Sequence, residues 1–199
     1  METKRDNEEI REIRSRLRRK ALKARENLSP QERMRGSVLM TERILGHQWF
    51  YGSDIFLGFA SFGSEIDTHE LLREAIRLGK KVYVPKVTEA SEKAKMQFYQ
   101  LTDMSELREG YRGIPEPSGE TPAYLYDPEQ AQRTLLLMPG AAFDGYRNRL
   151  GYGKGYYDAF LADKEALWLR CIAVGFLCQM TEEIPSREGD IKPYQVLCF

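Results

Sequence analysis

Features that mark special environments are missing from this sequence of 199 residues. No apolar run approaches the roughly 18 residues that a transmembrane helix needs. The charged N-terminus contains no apolar segment of the kind that signal peptides carry. Basic and acidic side chains number 30 each, so no overall field favours nucleic acid or a membrane surface. The sequence therefore predicts a cytoplasmic protein with no nucleic-acid or membrane partner.

Cysteine is also scarce, and this limits the chemistry. The three cysteines, Cys171, Cys178 and Cys198, lie in apolar contexts without Cys-x-x-Cys pairing, which is typical of small buried hydrophobes. No Ser/His or Cys/His set indicates a protein nucleophile. The length suits one domain over residues 1–199, with the polar residues 1–8 expected to be frayed, and we expect a monomer.

The order of apolar segments indicates an α/β fold. Short apolar runs at 54–60, 82–85, 95–101, 134–138, 170–177 and 195–198 predict strands, several of them buried. Amphipathic stretches predict helices at 9–28, after Ser29, after Asp67 or Thr68, and from Tyr156. The strand–helix–strand order over 54–85 is that of a parallel unit. The predicted fold is a single α/β domain with a mostly parallel central sheet and helices on both faces.

Two further predictions concern regions expected to be structural only. A capping box of Ser29 and Glu32, with Pro30 at the first helical position, opens the second helix. This helix is expected to turn four apolar side chains to the core: Met34, Val38, Leu39 and Ile44. The long, proline-containing connection 102–133 is predicted to carry no chemistry itself.

The most informative stretch is glycine-rich and runs over residues 139–161. A buried strand leads into Gly151, Gly153 and Gly155, and a helix follows at once, an order that cradles phosphate in many proteins. Two familiar phosphate motifs do not fit. The P-loop needs Ser or Thr after its lysine, but Gly155 follows Lys154, and the dinucleotide fingerprint needs a wider last glycine spacing. From spacing alone, a plain glycine-rich loop remains an alternative.

A basic row lies on the first predicted helix. Arg14, Arg18 and Arg25 project within about 40° of one another on a helical wheel, beside the apolar stripe. Such a row is either a solvated basic face or a set of guanidinium groups directed at a phosphate, which they bind in bidentate fashion.

The glycine-rich stretch resembles the signature of the 5-formyltetrahydrofolate cyclo-ligase family. The matching positions are Phe143-Asp144, Arg149-Leu150-Gly151, Gly153 and Gly155-Tyr156-Tyr157-Asp158. One local departure is Gly145, which follows Asp144 directly, whereas the family often has its glycine two residues before the arginine. Further segments resemble the family in the same order: Arg14, Leu17-Arg18, Arg25 and Leu28-Ser29; 61–68; 113–117; and Gln179 and Asp190. The family usually has lysine where Arg14 stands.

This resemblance implies an ATP-dependent reaction. Family members convert 5-formyltetrahydrofolate to 5,10-methenyltetrahydrofolate and release ADP and phosphate, with Mg²⁺ on the phosphates. The implied partners are MgATP and 5-formyltetrahydrofolate, free or polyglutamylated. Phosphorylation of the formyl oxygen would turn a poor leaving group into a good one, and N10 of the folate would then attack the activated carbon.

The resemblance also assigns roles to residues. The implied catalytic residues are Lys154, Arg149 and Arg18. The implied ATP-binding residues are Arg14, Arg18, Arg149, Gly151, Tyr152, Gly153, Lys154, Gly155, Tyr156 and Tyr157. The implied folate-binding residues are Ala60, Glu65, Gly153, Lys154, Gly155 and Tyr156, and the implied Mg²⁺ ligands are Asp158 and Asp190. Judged by sequence position alone, Glu65 and Asp158 could equally be ordinary carboxylates near helix N-termini.

Two other classes of function stay open at this point. A small-molecule kinase or other ATP-dependent transferase could use the same phosphate cradle, and it would be inactive on a formylated folate. A nucleic-acid-binding module is suggested only by the basic first helix, and it would show a steep dependence of affinity on salt.

Overall fold

The computed structural model describes residues 2–88 and 95–199. The α-helices in these ranges are α1 Glu2–Glu26, α2 Pro30–Leu45, α3 Gln48–Tyr51, α4 His69–Arg77, α5 Tyr156–Leu161 and α6 Glu165–Trp168. The strands are β1 Ile55–Leu57, β2 Lys81–Thr88, β3 Lys95–Leu101, β4 Arg108–Glu109, β5 Pro115–Glu116, β6 Thr134–Met138, β7 Ala142–Asp144, β8 Arg149–Leu150, β9 Cys171–Gly175, β10 Met180–Thr181 and β11 Gln195–Cys198. None of the helices in the described part of the chain is long and apolar enough to cross a membrane.

Six strands form the central sheet, in the order β11-β9-β6-β1-β2-β3. Neighbouring strands run parallel except β3, which pairs antiparallel with β2. The register places Phe56 opposite both Val82 and Leu135. The predicted α/β fold with a mostly parallel sheet is confirmed.

Helices cover both faces of this sheet because successive strand side chains point to opposite sides. Phe56 and Leu135 pack with α2, α3 and α4 in one core cluster. Leu57 and Leu136, their neighbours along the strands, pack with α5 and α6 in the other. This two-sided burial explains why the strands are apolar throughout rather than alternating.

Helix α1 lies against a second, three-stranded sheet, β10-β7-β8, through a small cluster that includes Ala21, Ala142 and Leu150. It begins at Glu2, whereas the sequence pattern predicted a helix only from residue 9. The apolar stripe used to place the helix start begins only at Ile10. Glu, Lys and Arg are good helix formers and extend the helix without any apolar periodicity.

The core-facing side of α2 also differs from the prediction. Met34, Val38 and Leu39 are 65%, 51% and 43% exposed, while Ile44 is buried as expected. The buried side instead contains Gly36, and a methyl group there would lie 2.8 Å from a ring carbon of Phe176. Close helix packing at a glycine therefore outweighed the larger apolar side chains in setting the orientation of the helix.

Candidate functional site

An open cleft of about 360 Å³ lies beyond the carboxyl ends of β1, β2 and β6. This is the edge at which α/β sheets generally bind ligands. Its walls come from α1, the loop after β1, β2, β3, the β4–β5 connection, the glycine-rich turn and α5.

Most of the predicted site residues meet in this cleft. Those that line it are Ala60, Glu65, Arg149, Gly151, Tyr152, Lys154, Gly155, Tyr156, Tyr157 and Asp158. Gly153, Arg14, Arg18 and Asp190 are not among the lining residues. Arg18 still contacts the glycine-rich turn, because its Nε donates a hydrogen bond of 2.7 Å to the carbonyl oxygen of Gly151.

The glycine-rich turn depends on glycine at two positions. Gly153 has a φ of +100° and Gly155, the residue that precedes α5, has a φ of +68°. L-residues with a β-carbon rarely adopt these values, whereas glycine does so freely. Lys154 lies between them and is exposed, so it contributes little to the packing of the fold.

Arg149 brings a buried positive charge to the cleft wall. Its side chain is 3% exposed, its guanidinium carbon lies 5.5 Å from the ring centre of Tyr157, and Nη2 donates to Oδ1 of Asp158 at 3.3 Å. Within the described residues, Arg149 Nε and the Tyr157 hydroxyl are buried and have no hydrogen-bond partner. Burial raises the pKa of Tyr157. Unpartnered buried polar atoms beside a cavity are what a polar ligand would satisfy.

The two predicted metal ligands already have partners. Asp190 forms a two-pronged ion pair with Arg14 and also accepts a hydrogen bond from the backbone of Arg187. Asp158 accepts from Arg149 and from the backbone of Ile191, both through Oδ1. Over residues 2–88 and 95–199, no three or more His, Cys, Asp or Glu side chains group as a metal site would require. Within these described ranges, protein side chains alone therefore do not group into a cation site.

Glu65 lines the cleft and is held by contacts to the glycine-rich turn and to its own loop. Its Oε1 accepts a short hydrogen bond from the Tyr152 hydroxyl, and its Oε2 accepts one of 3.0 Å from the backbone N–H of Phe62. Burial in the cleft raises the pKa of Glu65. Arg25, which the sequence placed in the basic row but not in the site, also lines the cleft and bonds to Tyr152.

Part of the connection 102–133, which is predicted to carry no chemistry itself, forms a wall of the cleft. Tyr111, Ile114, Pro115 and Glu116 line the cavity. Glu116 is only 4% exposed and accepts hydrogen bonds from the backbone N–H groups of Val87 and Tyr111. This buried carboxylate fastens the β4–β5 pair to β2, and a glutamate between two prolines gave no periodic signal for it.

Asp144 of the glycine-rich stretch is structural, since it is 1% exposed and accepts four hydrogen bonds. Three come from Tyr146 and Asn148 and close the turn after β7, and the fourth comes from the backbone N–H of Ile184. We expect Asp144→Ala to lower the free energy of unfolding by roughly 3 kcal/mol, because several buried N–H donors lose their acceptor. Chemical denaturation measures this. Asp163→Ala, an exposed aspartate, is the control and should leave stability unchanged; equal stability of both variants would contradict the assignment.

The mostly parallel sheet is covered by helices on both faces, and charged groups and a glycine-rich turn lie at its carboxyl edge. This arrangement is typical of α/β enzymes that bind a small-molecule ligand at that edge. A comparison with protein families matches residues 10–198 to the 5-formyltetrahydrofolate cyclo-ligase family. The chain belongs to this family.

Individual relatives agree with this assignment. A probable 5-formyltetrahydrofolate cyclo-ligase of Caenorhabditis elegans is 32% identical over 195 residues, covering 94% of this chain and 93% of that protein. The 5-formyltetrahydrofolate cyclo-ligase of Mus musculus is 30% identical, with 85% of each chain covered. The solution structure of Aquifex aeolicus 5,10-methenyltetrahydrofolate synthetase superposes with a TM-score of 0.74 at 30% identity, over 91% of this chain and 87% of that one.

Proposed function

We propose that this protein uses ATP to cyclise 5-formyltetrahydrofolate to 5,10-methenyltetrahydrofolate, with release of ADP and phosphate. The observation that carries the proposal is a single cleft whose lining includes Arg149, Lys154 and the carboxylate of Glu65. The first two suit a transferred phosphoryl group, and the third suits the N–H donors of a pterin ring. The proposal extends to a monomer that acts on free or polyglutamylated folate in the cytoplasm.

The reaction needs activation of a formamide. Its carbon is a poor electrophile for N10 because its oxygen is a poor leaving group. Transfer of the γ-phosphoryl group to that oxygen makes the carbon electrophilic. N10 then forms the new C–N bond and loses its proton to water, and the C–O bond breaks so that the formyl oxygen leaves in phosphate. The protein has to position the groups and neutralise charge.

Positive charge is concentrated where the phosphates would lie. Burial, together with the charges of Arg14 and Arg187, lowers the pKa of Arg18. We assign Arg149, Lys154 and the turn N–H groups over 151–155 to the transferred phosphoryl group. Arg18 holds that turn through Gly151, and Arg14 binds the outer phosphates if its pair with Asp190 opens.

The residues fit a magnesium ion only in part. Mg²⁺ on nucleotides is usually held by the phosphates, water and one or two carboxylates, where it neutralises phosphate charge. Asp158 meets this need, because both hydrogen bonds described for its side chain go to Oδ1 and Oδ2 would be the atom that holds the ion. Asp190 is a ligand only if it exchanges Arg14 for the ion.

The folate end of the cleft combines a carboxylate with apolar walls. Glu65 would accept from adjacent N–H donors of the pterin, as the family resemblance implies. Ala60 and Tyr156 line the same cleft as Glu65. A flat ring fits such a slot because aromatic and aliphatic walls bury its faces.

An isotope experiment tests the proposed chemistry. With ¹⁸O in the formyl group of 5-formyltetrahydrofolate, one labelled oxygen should appear in each phosphate released, together with one methenyl product and one ADP. Unlabelled phosphate would rule out transfer to the formyl oxygen. Phosphate release without any methenyl product would favour a different ATP-dependent transferase.

A further inference from the structure

We propose that Tyr152 and Arg25 are positioning residues that hold the Glu65 carboxylate ionised and oriented for a ligand with two adjacent N–H donors. This inference rests on the proposed function, since that ligand is the 2-amino-4-oxopyrimidine edge of the folate. Neither residue acts on the substrate directly in this role; both act through Glu65.

Arg25 joins three separate segments at this point. It lies in the last turn of α1 and is 6% exposed. Its Nε donates to the Ser64 hydroxyl at 3.0 Å, in the loop after β1, and Nη1 donates to the Tyr152 hydroxyl at 2.7 Å, in the glycine-rich turn. Its guanidinium carbon also lies 5.7 Å from the Tyr152 ring centre. A buried arginine that reaches both loops fixes their separation across the cleft.

The hydrogen bonds at Glu65 run in one direction. Because Arg25 can only donate, the Tyr152 hydroxyl accepts from it and gives its own proton to Oε1 of Glu65. Oε2 receives the N–H of Phe62. Each oxygen therefore has one protein donor and, with two lone pairs per oxygen, can accept one more. A planar fork of two N–H donors matches this arrangement.

The hydrogen bond from Tyr152 to Glu65 opposes the effect of burial on the Glu65 carboxylate. Burial raises the pKa of Glu65, while the bonds from Tyr152 and Phe62 and the charge of Arg25 oppose that rise. Tyr157 on α5 interacts with Glu65. The other titratable groups that line the cleft are Lys154, Arg149, Asp158, Tyr111, Tyr156 and Glu116. Glu65 also lines a neighbouring cavity together with Arg33 and Glu42 on α2, Asp67 in the loop after β1, and His69 and Glu70 on α4. Loss of the Tyr152 hydroxyl removes the largest of the influences that favour the ionised form.

The test is the pH profile of Tyr152→Phe with 5-formyltetrahydrofolate and MgATP. The folate binds to ionised Glu65, so affinity for the folate is lost as the pH falls through the pKa of Glu65. In a variant in which this pKa is higher, the loss begins at a higher pH. We expect the acid limb of kcat/KM for the folate to move up by about one pH unit. At neutral pH, KM for the folate should rise about tenfold, with KM for ATP changed less than about twofold.

Tyr146→Phe is the matched control, because Tyr146 is 66% exposed and lies in the same stretch outside the cleft. Tyr146→Phe should leave the acid limb of kcat/KM, KM for the folate and KM for ATP unchanged. Tyr152 is 47% exposed, so its phenylalanine variant should keep the melting temperature of the parent protein. Arg25→Lys should show the same direction of change, and the double variant should lose no more than the worse single one, as expected for groups acting in series.

The outcomes separate the two proposals. If the parent protein turns over the folate and the acid limb of Tyr152→Phe is not shifted, the positioning role is overturned and the proposed function stands. A rise in KM for ATP with unchanged KM for the folate would also overturn it, and would place Tyr152 at the nucleotide. If the folded parent protein neither binds nor converts 5-formyltetrahydrofolate, both proposals fail together.

Discussion

Replacement of Lys154 by alanine should reduce kcat for ATP-dependent cyclisation by about 10²–10³-fold and leave the fold intact. The lysine lies between two glycines of the turn, lines the cleft and is exposed. Loss of one positioned group that stabilises developing charge typically has an effect of this size. An exposed side chain contributes little packing, so the melting temperature should change by less than about 2 °C.

Lys81→Ala is the control for this variant. Lys81 is also exposed, but it begins β2 at the opposite, amino edge of the sheet. It should alter neither kcat nor melting temperature. A Lys154→Ala protein that loses stability in proportion to its activity would argue against a role in phosphoryl transfer.

Arg149→Lys should lower kcat by about 10²-fold or more although it preserves the positive charge. The planar guanidinium of Arg149 donates to the Pro139 carbonyl and to Asp158, and its Nε–H is left for a ligand. A lysine ammonium is a point charge and cannot make these contacts in the same geometry. The loss should fall mainly on kcat, since the interaction is proposed to strengthen as the phosphoryl group is transferred. Steady-state kinetics at saturating ATP and folate measures it.

Arg133→Lys is the control, because Arg133, like Arg149, forms a pair with an aspartate. Arg133 pairs with Asp54 at the amino edge of the sheet, where both side chains are more than half exposed. Arg133→Lys should keep full activity. If Arg149→Lys also kept full activity, charge alone would be sufficient at that position and the geometric argument would fail.

The fold was predictable where burial is two-sided. Strands such as β6 and β9 are continuous apolar runs, and the order of strands and helices fixed their parallel pairing. Periodicity failed where charged residues extend α1 and where Gly36 lets α2 approach Phe176 closely. Neither effect leaves an apolar pattern in the sequence.

The site was predictable where a contiguous motif carries it, and less so where distant segments meet. Residues of the glycine-rich turn and Glu65 share the cleft as the resemblance implied. The contact of Arg14 with Asp190, and that of Arg25 with Tyr152, join residues more than 100 positions apart. The wall formed by Tyr111 and Glu116 depends on a buried carboxylate that is satisfied by backbone groups. No local spacing encodes such contacts.

The most direct test of the central claim is to mix the purified protein with 5-formyltetrahydrofolate and MgATP and follow the methenyl product by its absorbance. A matched sample without ATP supplies the baseline. The account predicts product only when ATP is present, with one ADP formed for each methenyl group. Folded protein that binds ATP yet forms no methenyl product from this folate would contradict the proposed function.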